Sequence, residues 1–171
     1  MKSFLYLFLT VTLFVGCGYK PSSSYAKTAI EGNVYVDLKI DIDNSQNSVL
    51  VKDAMNEMVL NEFNASLTNN KKEADTFILV DLSGVSHSSI STGDDGYTKS
   101  YRTTVSIKVS YNKINEEIKT VSVSDYYDYT VDSDSVITDQ KKKVAVKIAS
   151  TKALSNIFSK IAIKSMQTRD K

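Results

Sequence analysis

The feature that most limits what this chain can fold into is an apolar run that ends at its only cysteine, Cys17. Lys2 supplies a basic start, and the run from Phe4 to Val15 is interrupted only by two threonines. Its roughly 12 residues are too few to cross a bilayer as a helix, which takes about 20. The pattern therefore predicts a secretory signal peptide over residues 1–16.

Cys17 is the predicted site of lipidation, because the small residue Gly16 precedes it. The mature cysteine would carry a diacylglycerol on its sulfur and an acyl chain on its amine, and stable anchoring needs at least two chains. The alternative is an ordinary signal peptide followed by a buried free cysteine. Acylation leaves no thiol for a disulfide or a cysteine metal site, so packing alone must stabilise the 155 residues that remain when 16 of 171 are removed.

The first part of the mature chain predicts a tether, a strand and a helix. Residues 17–32 are expected to be the lipidated N-terminus and a short tether. Apolar and polar side chains alternate over 33–42, which predicts a strand with one buried face. Apolar residues at spacings of three and four over 49–67 predict an amphipathic helix.

Three further strands and a second helix are predicted for the rest of the chain. The strands span residues 76–85, 101–111 and 121–131. The polar stretch 86–96 is expected to be a mobile hairpin loop. The second helix runs from Ser135 to about Ser165. Because each element has one apolar face, the expected fold is a single α+β domain over 33–168, a two-layer sandwich of a four-stranded sheet and two helices in the order β-α-β-β-β-α.

The residues Cys17-Gly18-Tyr19, followed by this order of elements, resemble the LptE family of lipopolysaccharide-assembly lipoproteins. The stretches 47–54 and 124–129 look like the divergent branch of that family found in ε-proteobacteria. The resemblance covers nearly the whole mature chain. It implies a lipid-anchored protein of the outer membrane that sits inside the LptD β-barrel, plugs it, helps it assemble and binds lipopolysaccharide on its way to the cell surface.

Positive charge is concentrated in the C-terminal part of the chain. From Ser135 onward there are nine basic and two acidic residues, a net charge of +7, whereas the rest of the mature chain has 11 basic and 18 acidic residues, a net charge of −7. A basic helix face can hold phosphate groups of lipid A or of a membrane surface. The predicted members of such a face are Lys141, Lys142, Lys143 and Lys147. The alternative is a solvated face that balances the acidic sheet.

The hairpin between the middle strands is the second predicted binding region. In the LptE family this hairpin is thought to meet lipopolysaccharide through cationic side chains, which points to Lys99, Arg102 and Lys108. A planar guanidinium suits phosphate because it can donate two parallel hydrogen bonds. The alternative is that all three are exposed strand residues without a ligand.

Two other classes of function remain open. A lipoprotein activator of a cell-wall synthase would need a long tether, and about 12 residues reach at most ~43 Å. A secreted hydrolase would need an acid and an oxyanion hole beside His87, and the sequence contains no Gly-x-Ser-x-Gly elbow. Phosphate loops, dinucleotide fingerprints and metal-ligand spacings are also absent from the sequence. We therefore expect no enzyme activity, no cofactor beyond the acyl groups, no metal and no nucleic-acid partner.

Overall fold

The computed structural model describes residues 22–39, 45–93, 96–131 and 137–169. This part of the chain contains three α-helices, five strands and a short 3-10 turn. The helices are α1 (Ser22–Ala29), α2 (Ser45–Asn61) and α3 (Asp139–Arg169). The strands are β1 (Asn33–Lys39), β2 (Ser66–Leu67), β3 (Thr76–Thr92), β4 (Thr98–Lys113) and β5 (Lys119–Thr130).

The strands form one sheet in the order β2-β1-β3-β4-β5. β1 runs parallel to both of its neighbours, and Val34 pairs with Thr76 of β3. Two parallel neighbours need a crossover connection, which α2 provides between β1 and β3. β3, β4 and β5 then follow one another as an antiparallel meander, in the predicted β-β-β order.

The hydrophobic core lies between one face of the sheet and the helices. Alternate strand residues such as Ile78 and Ile107 are buried in it, and α3 contributes Leu154. Phe63, just after α2, meets Phe158 of α3 edge to face, with ring centroids 5.0 Å apart. The predicted α+β two-layer sandwich is confirmed, with one more strand and one more helix than expected.

The N-terminal segment differs from the tether expected over 17–32. Ser22 to Ala29 form α1, which packs on α3, and both Ala26 and Ile30 are fully buried. Two turns of helix with two apolar anchors leave almost no periodic signal in a sequence. Cys17, the signal peptide and the remainder of the expected tether lie outside the described residues.

The first predicted helix lies closer to the N-terminus than 49–67. α2 begins at Ser45 and ends at Asn61. Asn64 then adopts a left-handed backbone with φ of 56°, a conformation that ends a helix. Leu67, at a helical spacing in the sequence, belongs instead to β2, which pairs with the start of β1. Residues 40–42 of the predicted first strand lie outside the described residues.

The largest difference concerns the predicted mobile loop 86–96, of which residues 94 and 95 lie outside the described residues. β3 continues as far as Thr92 and pairs with β4 from Thr98 onward. Its side chains there are mostly serine and threonine, so the strand is held by backbone hydrogen bonds to β4 and not by an apolar face. We call the resulting projection of 86–92, 98–104 and 126–130 the arm. Its seven residues of β3 span about 23 Å.

Candidate functional site

The arm presents two different faces, because successive side chains of a strand point to opposite sides. The inner face continues the core side of the sheet and meets the beginning of α3. Its side chains are His87, Tyr101, Thr103, Tyr127 and Tyr129. The outer face carries Arg102, Tyr126 and Asp128. The arm therefore offers two surfaces of different chemistry.

Three tyrosines form a row across the inner face. The ring centroids of Tyr101 and Tyr129 are 6.0 Å apart with an interplanar angle of 22°, and those of Tyr127 and Tyr129 are 6.1 Å apart with an angle of 12°. Stacked rings of this kind make a continuous apolar surface. The hydroxyl oxygen of Tyr129 is buried and has no hydrogen-bond partner among the described residues. A buried unpaired hydroxyl lowers the stability of the fold.

A depression of about 240 Å³ separates the tyrosine row from the first turns of α3. Its lining residues are Tyr127, Tyr129, Thr130, Gln140, Lys141 and Val144. We call it the arm depression. Aromatic and aliphatic carbon forms most of its wall, and Lys141 supplies an ammonium group. Such a mixture suits an amphipathic ligand that joins an apolar part to an anion.

The start of α3 is fixed in place next to the arm. The hydroxyl of Thr138 accepts a hydrogen bond from the backbone N–H of Lys141 at 3.2 Å, which caps the helix. On the arm, Nδ1 of His87 lies 2.8 Å from the hydroxyl of Thr103. Partial burial of the ring, and then the positive charge of Lys142, lower the pKa of His87. Both effects favour the neutral ring, so the lysines are the main source of positive charge on the inner face.

Arg102, predicted to bind lipopolysaccharide, forms a pair within the arm. Its Nε and Nη2 each donate a hydrogen bond of 2.7 Å to the carboxylate of Asp128. The guanidinium also lies 3.8 Å from the ring centroid of Tyr126. These hydrogen bonds raise the pKa of Arg102 and lower the pKa of Asp128. The bidentate geometry expected for a phosphate is thus occupied by a carboxylate of the same chain.

Lys99 and Lys108 do not form a cluster with Arg102. Lys99 is two residues from Tyr101 and so lies on the inner side of β4, whereas Arg102 and Lys108 lie on the outer side. Lys108 is exposed, and six residues of strand, about 20 Å, separate it from Arg102. The three residues therefore do not make one site, and their role toward a ligand stays a prediction.

The four lysines predicted to form one basic face point in different directions around α3. Lys141 lines the arm depression, and the ammonium of Lys142 lies 3.5 Å from the carboxylate of Asp139. Lys143 and Lys147 are exposed one turn apart. Successive helix residues point about 100° apart, so three consecutive lysines cannot share one face. Binding of an anion by any of the four stays a prediction.

Sequence reasoning missed what the later lysines of α3 do. Lys152, Lys160 and Lys164 each donate a hydrogen bond to a backbone carbonyl of β5, at 3.4, 3.0 and 3.4 Å. Spacings of four and eight residues place them on one side of the helix, and this spacing in the sequence could have predicted a shared partner. These contacts hold part of the positive charge of α3 at the sheet and not at a ligand site.

The surroundings of His87 bear on the hydrolase alternative. The His87 ring bonds to a hydroxyl and not to a carboxylate, unlike a hydrolase base. In the part of the chain that the structure describes, no group of three His, Cys, Asp or Glu side chains could hold a metal ion. None of its helices is long and apolar enough to cross a membrane.

Three solved structures resemble this fold. A putative lipoprotein from Caulobacter crescentus has a TM-score of 0.55 at 8% identity, covering 86% of this chain and 96% of that one. Lipoprotein B from Nitrosomonas europaea has a TM-score of 0.55 at 9% identity, covering 88% and 94%. Rare lipoprotein B from Shewanella oneidensis has a TM-score of 0.49 at 14% identity, covering 81% and 96%. At identities this low, the structures from Caulobacter crescentus and Nitrosomonas europaea show a shared fold and nothing more.

Comparison with protein families is more specific. No curated protein matches the sequence. The family model of LptE, described as lipopolysaccharide-assembly, matches residues 35–161. That range is well over half of the chain and includes most of the core and the whole arm. The chain therefore belongs to the LptE lipopolysaccharide-assembly family.

Proposed function

We propose that this protein is a non-enzymatic outer-membrane lipoprotein that partners and plugs an LptD-type β-barrel and binds lipopolysaccharide during its assembly at the cell surface. The observation that carries the proposal is the LptE family match over 35–161. The lipidation signal at Cys17 supports the membrane location, and a lipoprotein from Caulobacter crescentus shares the fold.

The arm depression is the best-supported place for a first contact with lipopolysaccharide. Lipopolysaccharide joins phosphate groups to acyl chains and sugars, so a matching site needs cations beside apolar carbon. Tyr127 and Tyr129 provide the apolar wall, and Lys141 provides the cation. Arg102 is a weaker candidate than its chemistry suggests, because Asp128 already accepts hydrogen bonds from its Nε and Nη2, the edge that would hold a phosphate in a bidentate pair.

The open face of the sheet is the surface we assign to the barrel wall. Leu79 and Ile118 are 40% and 70% exposed there, around a depression of about 360 Å³ that Tyr35 and Phe77 also line. Contiguous apolar surface that remains exposed usually marks an interaction site. Packing this face on a barrel would leave the helices and the inner side of the arm free for the lumen.

The short connection to the membrane favours this role over a regulator of a cell-wall synthase. Five residues of chain lead from Cys17 to the start of α1 at Ser22, at most ~18 Å when extended. An activator that crosses the periplasm would need a longer reach. The body is instead held close to the bilayer, where a barrel partner lies.

Two charge-reversal variants of α3 test the proposal, and the measurement is the affinity of each variant for lipopolysaccharide. Lys141→Glu places a negative charge in the arm depression, whereas Lys143→Glu makes the same change on the exposed side of α3. Loss of one charge-assisted contact predicts about tenfold weaker binding for Lys141→Glu, and Lys143→Glu should bind like the wild type. Equal effects would move the site away from the depression. A wild-type protein that does not bind would refute direct contact.

A further inference from the structure

One edge of the sheet is closed by side chains of α3. β5 is the last strand, and its outward carbonyls at Thr120, Ser122 and Tyr126 accept hydrogen bonds from lysine ammonium groups of the helix. Four helix residues rise about 6.0 Å and two strand residues about 6.6 Å. The two repeats nearly match, so lysines four or eight residues apart meet outward carbonyls two or four residues apart.

The outward N–H of Tyr126 is occupied as well. A carboxylate oxygen of Asp125 accepts it at 2.7 Å, and Asn156 of α3 donates to the other oxygen of Asp125 at 2.6 Å. Unpaired strand edges are templates for another strand, and proteins commonly protect them with lysines and inward-pointing charges. Side chains therefore protect part of the β5 edge against strand addition, at Thr120, Ser122 and Tyr126.

Among the described residues, nothing comparable protects the other edge of the arm. In that part of the chain β1 pairs with β3 as far as Lys39 and Asp81. Even an in-register continuation of β1 to residue 44 would reach only residue 86 of β3, since paired residues differ by 42 in number. We call His87–Thr92 of β3 the open edge. Among the described residues, no side chain is seen to hydrogen-bond to its backbone, and its side chains are exposed apart from the partly buried ring of His87.

The composition of the open edge adds no barrier to pairing. Its sequence is His-Ser-Ser-Ile-Ser-Thr, without lysine, proline, aspartate or glutamate. The one protective feature is a pair of register shifts after Ser89 and Ser91, which bend the strand near the tip. The edge is therefore short, neutral and able to hydrogen-bond.

We infer that the open edge pairs with the open edge of a second copy of this chain, antiparallel and about a two-fold axis. Antiparallel pairing of two identical segments is self-complementary, so every residue pair occurs twice. Neutral edges do not repel each other, unlike two copies of the lysine-lined β5 edge. The arm projects from the core, which allows the two arms to overlap along part of the open edge while the bodies lie at opposite ends. So short an overlap predicts a weak, reversible dimer.

Sedimentation velocity on the full chain carrying Cys17→Ser, in mild detergent, tests this pairing. Ile90 is half exposed on the open edge, and Ser122 is an exposed residue of the closed edge. We expect the unmodified edge to give a monomer–dimer equilibrium, Ile90→Lys to weaken it about tenfold by like-charge repulsion, and Ser122→Lys to leave it unchanged. Circular dichroism checks that the variants fold.

Two results would overturn the inference. One is a protein that stays monomeric at every concentration, which would leave the open edge for a strand of another protein. The other is an equal effect of Ile90→Lys and Ser122→Lys. The closed edge has its own test, because Lys152→Met with Lys160→Met should add larger associated species. Lys143→Met with Lys147→Met removes the same charge and should not.

Discussion

Ile30 provides a sharp test of whether the N-terminal segment belongs to the fold. It follows α1, its backbone N–H donates to the carbonyl of Ala26 at 3.2 Å, and its side chain is fully buried. If residues 22–32 were only a tether, Ile30 could be replaced without effect. Since the side chain is part of the core, Ile30→Ala should destabilise the whole domain.

The expected cost follows from the buried carbon that is removed. The substitution deletes three methyl or methylene groups, each worth about 0.8 kcal/mol when buried, or roughly 2.4 kcal/mol together. The cavity left behind raises the loss to about 3 to 4 kcal/mol. For a domain of this size that corresponds to a fall in Tm of roughly 10 °C.

Urea unfolding of wild type, Ile30→Ala and the control Lys27→Ala measures this loss. Lys27 is exposed on the same helix, so its replacement should change the free energy of unfolding by less than about 0.5 kcal/mol. The Ile30→Ala midpoint should fall with an unchanged slope. A change no larger than that of the control would refute the docking of α1 on the core.

Three further predictions concern other buried or strained positions. Tyr129→Phe removes a buried hydroxyl that has no partner among the described residues, so the free energy of unfolding in urea should stay the same or rise by up to about 1 kcal/mol; a loss would show that the hydroxyl is bonded. Folding lowers the pKa of His87 from 6.5, so the unfolded chain binds the proton more readily and stability falls as pH drops below about 6.5. Between about pH 7.5 and pH 5, the Tm of His87→Asn should therefore fall less than the Tm of the wild type, and equal falls would contradict this. Gly32 has φ of 73°, and a Cβ there would clash with the carboxylate of Asp75. In the same urea assay Gly32→Ala should therefore lower the free energy of unfolding by about 2 to 4 kcal/mol, while the control Gly84→Ala, with open space around it, should be tolerated. Similar unfolding midpoints for the two variants would refute the strain at Gly32.

The parts of the fold that sequence predicted well are those where an apolar face alternates with a polar one. β4 shows this most clearly, since Val105, Ile107 and Val109 are all buried while the residues between them face outward. The long α3 helix was predicted for the same reason. Periodic spacing of apolar residues is a local signal that tertiary contacts seldom override.

The arm and α1 could not be predicted because neither depends on a periodic apolar face. The arm is held by backbone hydrogen bonds between β3 and β4, and these bonds depend little on which side chains the residues carry. α1 relies on two anchors, Ala26 and Ile30, whose partner α3 lies more than a hundred residues away in the chain.

The candidate site was predicted in region but not in detail. The sequence pointed to the hairpin and to the basic helix, and the structure brings the inner side of the arm against the start of α3. What each cation does depends on its tertiary partner. Asp128 pairs with Arg102, and carbonyls of β5 hold Lys152 and Lys160. Only Lys141, of the predicted lysines, lines the arm depression among the described residues.

The measurement that tests the central claim most directly is recovery of the tagged, lipidated protein from outer membranes in detergent, with mass spectrometry of the bound proteins. The account predicts a large β-barrel of the LptD type in stoichiometric amount, together with lipopolysaccharide. Recovery of a cell-wall synthase, or of no partner at all, would contradict it.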